Sequence, residues 1–371
     1  NEEQDLFRDS VRRFMQAEFA PQVERWREQG ICDKEAFLQA GAQGLLCMWV
    51  DEAYGGLGMA DFRFEQIVIE EVIRHGDMGL FLSLHSRLVG PYIGALGSEE
   101  LKQRLLPKCV SGETILGIAM TEPGAGSDLS GIKSRAVRKG DDWVLNGSKT
   151  YISNGINGGA FVVAARSVPG KPHGIGLFVV EEGTPGVSRG RNLKKMGRKS
   201  QDTAELFLEN VRVPAANVLG DPERGFYNLM HFLAEERLIN ACQGIAHAQV
   251  GYDITKDYIL ERKAFGKPIG TFQHSRFVMA EMRTAIDVVQ VFVDQCVLLQ
   301  NAGELSAEVE NRVMDACVQL HSGAGYMDEY RISHMFTDAR VSRIYAGSSE
   351  IMKEIIARGQ GLDERKIQGN S

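Results

Sequence analysis

One stretch of the chain combines a strand end with a glycine-rich turn, an arrangement suited to an anionic or ring-shaped ligand. Residues 118–128 read IAMTEPGAGSD. The apolar start predicts a strand that stops at Thr121, and Pro123 and Gly126 then predict a turn whose backbone amides can meet an anion. Most glycine-rich turns are only turns, so the loop needs a second indication of a ligand.

A tyrosine and a serine just after the next predicted strand supply that indication. Residues 151–153 read YIS and follow a predicted strand at residues 143–149. Tyr151 offers a flat apolar wall, and the hydroxyls of Thr121 and Ser153 can hydrogen-bond to ring heteroatoms. We therefore predict a site for a planar ring with polar edges, built from both stretches.

The composition is that of an ordinary globular protein with a large core. The chain has 371 residues, of which 43% are hydrophobic and 25% charged, and this length predicts two or three subdomains. The net charge of −7 argues against a general nucleic-acid or anionic-membrane surface, although a local basic patch could still receive an acidic ligand. No run approaches the ~20 apolar residues of a membrane span, so we expect no integral membrane segment.

The cysteines form no metal-binding motif. They lack a Cys-x-x-Cys pair and a histidine at ligand spacing, and they are Cys32, Cys47, Cys109, Cys242, Cys296 and Cys317. We expect reduced, mostly buried thiols and no metal. No signal peptide precedes the first predicted helix, but the chain starts at Asn1 without a methionine, so a removed leader or a further terminal segment stays open.

The hydrophobic periodicity changes twice along the chain and predicts an α+β protein. Residues 1–112 show helical spacing, with an interruption at Pro21 and a helix N-cap at Ser98. Residues 113–220 hold short β-rich runs punctuated by Gly, Pro and Asn, which is typical of a small antiparallel β-domain. Long helical patterns return in residues 221–371 and predict a C-terminal helical bundle.

Three further motifs follow in the C-terminal third: RKAFGKPI at residues 262–269, QLHSGAGY at 319–326 and IYAGSSEI at 344–351. With the loop and the YIS element, these motifs resemble the acyl-CoA dehydrogenase family over nearly the whole chain. The resemblance implies that family's fold, FAD as cofactor, and oxidation of an acyl-CoA thioester to the trans-2-enoyl-CoA. It also implies electron transfer to an electron-transfer flavoprotein, a homotetramer, and a location in the bacterial cytoplasm or, in a eukaryote, the mitochondrial matrix.

The resemblance also implies roles for individual residues. Those expected to hold the flavin ring and pyrophosphate are Ile118, Met120, Thr121, Gly126, Ser127, Tyr151, Ile152 and Ser153, with Ser348, Ser349 and Glu350 on the adenylate side. Those expected to reach the FAD of a neighbouring subunit are Arg262, Phe265, Phe272, Gln273, Gln319, Leu320 and Gly323. Core packing is the alternative for the two phenylalanines. Expected beside the substrate are Ser127, Arg237, Ala346 and Gly347.

The assignment of the catalytic base turns on an alanine. Many family members carry a glutamate between the aromatic residue and the glycine of the C-terminal motif, where this chain has Ala346. Long-chain and isovaleryl-CoA dehydrogenases instead carry the base on an earlier helix, as a glutamate before Arg-Leu. Residues 234–238 read AEERL, so the resemblance assigns the base to Glu236; a solvated helix residue is the alternative. On a helix, Glu235 would point about 100° away from it.

Two other functions stay open. One is a flavin oxidase of the same fold that passes electrons to oxygen, and the other is a non-catalytic acyl-CoA-binding homologue in which Ala346 marks a dead site. The acyl chain length and the pathway are not given by the sequence, although the small side chain of Ala346 predicts tolerance of branched acyl groups.

Between Val309 and Glu310 the resemblance predicts roughly three more helical turns, and we expect those residues to be absent from this sequence, because a shortened helix would uncover its neighbours' apolar stripes.

Overall fold

A computed structural model describes residues 1–304, 329, 331–345 and 349–359. The chain divides into two compact units, Asn1–Ile239 and Asn240–Ser371. The first unit contains a helical layer and a β-sheet, and the described part of the second unit is mainly helical.

The first unit opens with helices whose apolar faces pack into one core. They are α1 Glu2–Phe14, α2 Val23–Gln29, α3 Lys34–Ala42, α4 Phe62–His75, α5 Gly90–Leu96 and α6 Glu99–Val110, with π-helices Met15–Phe19 and Leu84–Val89 and 3-10 turns Ala20–Gln22 and Glu52–Tyr54. Phe19, Trp26 and Leu82 are among the buried side chains of this core. Removing that apolar surface from water stabilises the helical layer.

Two local signals in this layer are confirmed. Ser98 caps α6, because its Oγ accepts a hydrogen bond from the Leu101 N–H at 3.1 Å. Pro21 lies in the 3-10 turn Ala20–Gln22, where the helix that begins with α1 ends. A proline has no N–H to continue the helical ladder, which explains the break.

Seven strands of the first unit form one sheet. They are β1 Leu116–Ala119, β2 Arg135–Lys139, β3 Asp142–Ser153, β4 Ala160–Arg166, β5 Ile175–Glu181, β6 Val187–Arg189 and β7 Thr203–Val213, with 3-10 turns Leu129–Gly131 and Ala215–Asn217. The spatial order is β1-β4-β2-β3-β7-β6, and β5 pairs with β4. Four pairings are antiparallel, namely β2–β3, β3–β7, β4–β5 and β6–β7.

The predicted β-domain is present, but its sheet is mixed rather than purely antiparallel. Strand β4 runs parallel to both β1 and β2. The hairpin of β2 and β3 intervenes between β1 and β4, so the chain can return to β1 in the same direction. A tight hairpin between β1 and β4 would have forced them to be antiparallel.

A long helix follows the sheet. Helix α7, Gly225–Glu261, begins the region in which the sequence predicts long helical patterns. After it come the short hairpin of β8 Lys263–Ala264 and β9 Lys267–Pro268, a 3-10 turn Ile269–Thr271, α8 Gln273–Ala302, α9 Arg331–Ala339, a 3-10 turn Arg340–Arg343 and α10 Ser349–Gly359. The junction of Val309 and Glu310 lies outside the described residues. The domain boundaries 112/113 and 220/221 stay predictions.

Three expected properties can be compared with the described ranges. No helix there is long and apolar enough to cross a membrane. No group of three or more His, Cys, Asp or Glu side chains in the same ranges could hold a metal ion. Five cysteines are buried free thiols, namely Cys32, Cys47, Cys109, Cys242 and Cys296, whereas Cys317 lies outside the described residues.

Candidate active site

The loop after β1 folds back as a tight turn. The N–H of Glu122 donates to the carbonyl of Ala125 at 2.9 Å, and the N–H of Ala125 donates to the carbonyl of Glu122 at 3.1 Å. The N–H of Thr150 donates to the Thr121 carbonyl at 2.9 Å, so this turn and β3 are joined directly. The two stretches that the sequence singles out are therefore adjacent in the fold.

A buried ion pair anchors the same loop. Lys149 Nζ lies 2.8 Å from Glu122 Oε1 and donates a second hydrogen bond to the Met120 carbonyl at 3.0 Å. The Glu122 carboxylate also accepts the backbone N–H groups of Lys133 and Ser134, at 2.6 and 3.0 Å. Burial opposes ionisation of Glu122, but Lys149 and these donors outweigh burial and hold the pKa of Glu122 below its ordinary value.

The strand end grades from half-buried to exposed. Ile118, Met120 and Thr121 are half-buried, whereas Gly126 and Ser127 are exposed. A ligand lying against this edge could therefore meet side chains at Met120 and Thr121 and backbone amides in the turn. The ion pair of Glu122 and Lys149 could not be predicted from the sequence, because the two residues lie 27 positions apart.

Tyr151 stands out from the sheet. Its backbone has φ 60° and its side chain is 70% exposed, at an irregularity where the β3–β7 register shifts between Lys149 and Ile152. Such a bulge redirects a side chain. Ile152 points into the sheet core, so it can meet a ligand only through its backbone, while Ser153 is half-buried and pairs with Thr203.

Glu236 is a half-buried carboxyl near the start of α7. Phe232, one turn earlier on the same helical face, packs against Tyr92 of α5 with ring centroids 4.3 Å apart. Burial raises the pKa of Glu236 to about 7, although the charge of Arg237 opposes that shift. Burial, together with the nearby charge of Glu236, also raises the pKa of Tyr92 well above its ordinary value. Glu236 is thus not a solvated surface residue.

The flanking residues of Glu236 differ in surroundings. Arg237 is half-buried, and burial lowers its pKa despite the opposing charge of Glu236. Glu235 pairs with Arg87 of the π-helix Leu84–Val89, with Arg87 Nε 2.7 Å from Glu235 Oε1. The Arg87 guanidinium also lies over the Phe62 ring, 5.0 Å from its centroid.

A second carboxyl, Glu65 of α4, lies in the same electrostatic cluster. Its side chain is buried, and burial raises its pKa to about 7; the charge of Arg87 opposes the shift and that of Glu235 adds to it. Sequence reasoning missed Glu65 and Arg87. Their signal is a single charge inside an apolar helical run, in FEQIVI and in LHSRLVG.

The residues predicted to reach a neighbouring subunit lie in the second unit. Phe265 has φ 51° at the tip of the β8–β9 hairpin and is 95% exposed, so core packing is wrong for it. Phe272 is half-buried, with its ring edge-on to Phe265 at 6.3 Å and the Lys267 ammonium 4.5 Å from its centroid. Arg262 and Gln273 are exposed at the two ends of this segment.

The C-terminal motifs lie partly outside the described ranges. Outside the described residues lie Gln319, Leu320, Gly323, Ala346, Gly347 and Ser348. Ser349 and Glu350 begin the final described helix, Ser349–Gly359. The roles of all these residues stay predictions.

Models of one known protein family match this chain along almost all of its length. Family models match it in succession: acyl-CoA dehydrogenase N-terminal domain at residues 1–113, middle domain at 117–211 and C-terminal domain at 223–361. The chain therefore belongs to the acyl-CoA dehydrogenase family and has its three-domain fold. It is an oxidoreductase of the CH–CH bond of acyl-CoA thioesters.

Individual relatives agree with that assignment. The long-chain specific mitochondrial acyl-CoA dehydrogenase of Rattus norvegicus is 44% identical over 370 residues, covering 96% of this chain and 86% of the relative. The mitochondrial isovaleryl-CoA dehydrogenase of Pongo abelii is 35% identical over 382 residues, covering 98% and 90%. A crystal structure of an acyl-CoA dehydrogenase from Geobacillus kaustophilus superposes with a TM-score of 0.93 at 44% identity, covering 97% of this chain and 98% of that one.

The family's cofactor is FAD, and the first unit has residues that fit it. A flat, 70% exposed aromatic side chain at Tyr151 adjoins a strand end with a half-buried hydroxyl at Thr121. The buried pair of Glu122 and Lys149 makes that edge rigid. An isoalloxazine ring needs such a flat wall and such polar edge contacts.

Proposed function

We propose that Glu236 is the base that removes the α-proton of the acyl-CoA thioester. The observation that carries this proposal is the surroundings of its carboxyl: it is half-buried on the side of α7 where Phe232 packs on Tyr92, with a pKa raised to about 7 by burial. A base with a pKa near the working pH combines a large ionised fraction with a useful affinity for the proton. Glu235 is unsuited to the role because its carboxylate is paired with Arg87.

The other predicted residues bind and orient. We infer that Met120, Thr121 and Ser127 contact the flavin from the strand end, and that Tyr151 and Ser153 contact it from β3. Bound FAD supplies the acceptor for the hydride from the β-carbon, which no amino-acid side chain can supply. The half-buried Arg237 beside Glu236 would orient the thioester.

Partners and substrate are also part of the proposal. Electrons pass to an electron-transfer flavoprotein, and Arg262, Phe265, Phe272 and Gln273 reach the FAD of a second copy in a homotetramer. The full exposure of Phe265 supports the second point, because an apolar ring at a hairpin tip gains from being covered. The alanine at position 346 supports acyl groups with branches near the thioester. Bacterial cytoplasm and mitochondrial matrix are both compatible with the relatives.

The test is anaerobic mixing of the purified holoenzyme with octanoyl-, palmitoyl-, isovaleryl- and 2-methylbutyryl-CoA while flavin absorbance is followed. Wild type should bleach with at least one thioester, whereas Glu236→Gln should lose at least about 1,000-fold in rate with FAD still bound, because the amide cannot accept a proton. The matched control is Glu209→Gln, an exposed glutamate on β7, which should bleach as wild type does.

Each alternative predicts a different result. No bleaching with any thioester would favour a non-catalytic acyl-CoA-binding protein, and bleaching retained in Glu236→Gln would place the base elsewhere. Release of peroxide in air at the rate of turnover would identify an oxidase. Bleaching by the 2-methyl-branched thioester that is no faster than bleaching by the straight-chain thioesters would contradict the proposed tolerance of branching.

A further inference from the structure

Glu65, Arg87 and Glu235 form a buried charged cluster, which we call the α7 anchor, immediately beside the proposed base. Its members come from three helices: α4, the π-helix Leu84–Val89 and α7. Arg87 and Glu235 form an ion pair at 2.7 Å, with only 10% and 15% of their side chains exposed. The Glu65 side chain is 2% exposed, and neither of its carboxyl oxygens has a hydrogen-bond partner among the described residues.

This arrangement destabilises the fold more than a purely structural role would require. The guanidinium of Arg87 is paired with Glu235 and acts on Glu65 through its charge, in a region largely shielded from water. An unpartnered buried carboxyl such as that of Glu65 destabilises the fold more than an apolar residue of the same size. Burial keeps Glu65 protonated over much of the range below neutrality, because its pKa is raised to about 7. The cluster is then close to electrically neutral, with Arg87 balancing Glu235.

The position of the anchor relates it to Glu236. Adjacent residues on a helix point about 100° apart, so fixing Glu235 against Arg87 also fixes the direction of Glu236. That direction is the face of Phe232, which packs on Tyr92. Arg87 and Tyr92 belong to the consecutive segments Leu84–Val89 and Gly90–Leu96, so one stretch of chain contacts α7 at both Glu235 and Phe232.

We propose that Arg87 is a positioning residue for the base: its ion pair with Glu235 sets the rotation of α7 and cancels the negative charge next to Glu236. This inference rests on the proposed role of Glu236. Within the described part of the chain, the groups in electrostatic contact with that carboxyl are Tyr92 from α5 and Arg237 from its own helix. Glu235 is its neighbour in sequence, and Arg87 and Glu65 surround Glu235.

The test compares the pH dependence of kcat/KM in four holoenzymes: wild type, Arg87→Met, Glu235→Gln and the double variant. The substrate is whichever of the four thioesters named above is bleached fastest. Arg87→Met removes the positive charge beside Glu235, so the apparent pKa should rise by about one pH unit, and Glu235→Gln removes the negative charge beside Arg87, so the apparent pKa should fall. The double variant should return to within about 0.3 of wild type while kcat stays several-fold lower, because the charge is balanced but the anchor is lost.

A general packing defect cannot shift the apparent pKa of kcat/KM in opposite directions in Arg87→Met and Glu235→Gln. The inference is overturned if the single variants shift the apparent pKa in the same direction, or if neither shifts it. Because Glu65 can ionise to replace the charge of Glu235, the Glu65→Gln/Glu235→Gln variant should show the larger fall. If Arg87→Met does not fold, the fall in Glu235→Gln and its reversal in the double variant still decide the question.

Two controls separate this inference from the proposed function. Arg212→Met removes an arginine from an exposed ion pair with Asp142 and should leave the pH profile unchanged. Flavin content and melting temperature are measured for every variant. If Glu236→Gln bleaches normally, the proposed function fails whatever Arg87 does; if Glu236→Gln is dead but the Arg87 and Glu235 profiles match wild type, only the positioning role fails.

Discussion

Two buried charged clusters of the first unit differ in how completely their groups are hydrogen-bonded. In the pair of Glu122 and Lys149, both carboxylate oxygens and the ammonium have hydrogen-bond partners, and the pKa of Glu122 is held below its ordinary value. In the α7 anchor, Arg87 is paired with Glu235, and burial raises the pKa of Glu65 to about 7. One cluster is fully partnered, and the other keeps a carboxyl on the edge of ionisation.

This difference in hydrogen bonding determines how each cluster can influence a neighbouring site. A fully partnered pair fixes backbone, as it does where Lys149 bonds to the Met120 carbonyl beside the predicted flavin contacts. An incompletely partnered cluster has an adjustable charge, which suits a region next to a base whose own pKa is about 7. Both tune the proposed site without belonging to it.

Breaking the fully partnered pair should have the largest effect. Lys149→Met removes the cation that pairs with the buried Glu122 carboxylate. This should lower the free energy of unfolding by on the order of 3 to 5 kcal/mol and release flavin. Melting temperature and the flavin-to-protein absorbance ratio measure both losses. The double variant Glu122→Gln/Lys149→Met should recover much of the stability, because no buried charge remains.

The matched control is Lys171→Met. Lys171 pairs with Glu223 at 3.2 Å, but their side chains are 66% and 57% exposed. Exposed pairs contribute little, so this variant should change melting and flavin content within error. Equal effects of Lys149→Met and Lys171→Met would contradict the anchoring role of the buried pair.

Glu65→Gln should raise the stability of the protein, by less than Lys149→Met lowers it. The folded-state pKa of Glu65, about 7, lies above its unfolded value, so the native state binds the extra proton and loses stability as pH rises toward and through 7. Glutamine does not ionise, so the variant should melt roughly 2 to 4 °C above wild type at about pH 8.5 and show little gain at about pH 5. Glu209→Gln is the exposed control. An equal difference at both pH values would show that Glu65 does not titrate in this range.

Local patterns predicted much of the fold. The N-cap at Ser98 and the break at Pro21 depend on neighbours within a few residues, and both are present. The change from helical to β periodicity likewise located the sheet. Strand direction was less accessible, because the parallel pairing of β1 with β4 depends on how the intervening hairpin lies and not on either strand's sequence.

The proximity of two continuous motifs was predictable from the sequence. The loop containing Thr121 and the stretch containing Tyr151 were expected to share a site, and the Thr150 to Thr121 hydrogen bond joins them. The α7 anchor was not predictable as a cluster, since Glu65, Arg87 and Glu235 are far apart in sequence, although Glu65 and Arg87 are each a single charge inside an apolar helical run. Burial, which tertiary packing decides, is what gives them their electrostatic role.

The most direct test of the account is α-proton exchange, which asks only whether a base acts on a bound thioester. Holoenzyme is incubated anaerobically in D₂O with the preferred acyl-CoA, and deuterium at the α-carbon is measured by mass spectrometry across the pH range. Wild type should incorporate deuterium at a rate that rises as pH passes through about 7, because the carboxyl of Glu236 must be ionised to accept the proton. Glu236→Gln should bind the thioester without exchange. Exchange by Glu236→Gln at the wild-type rate would contradict the central claim that Glu236 is the base.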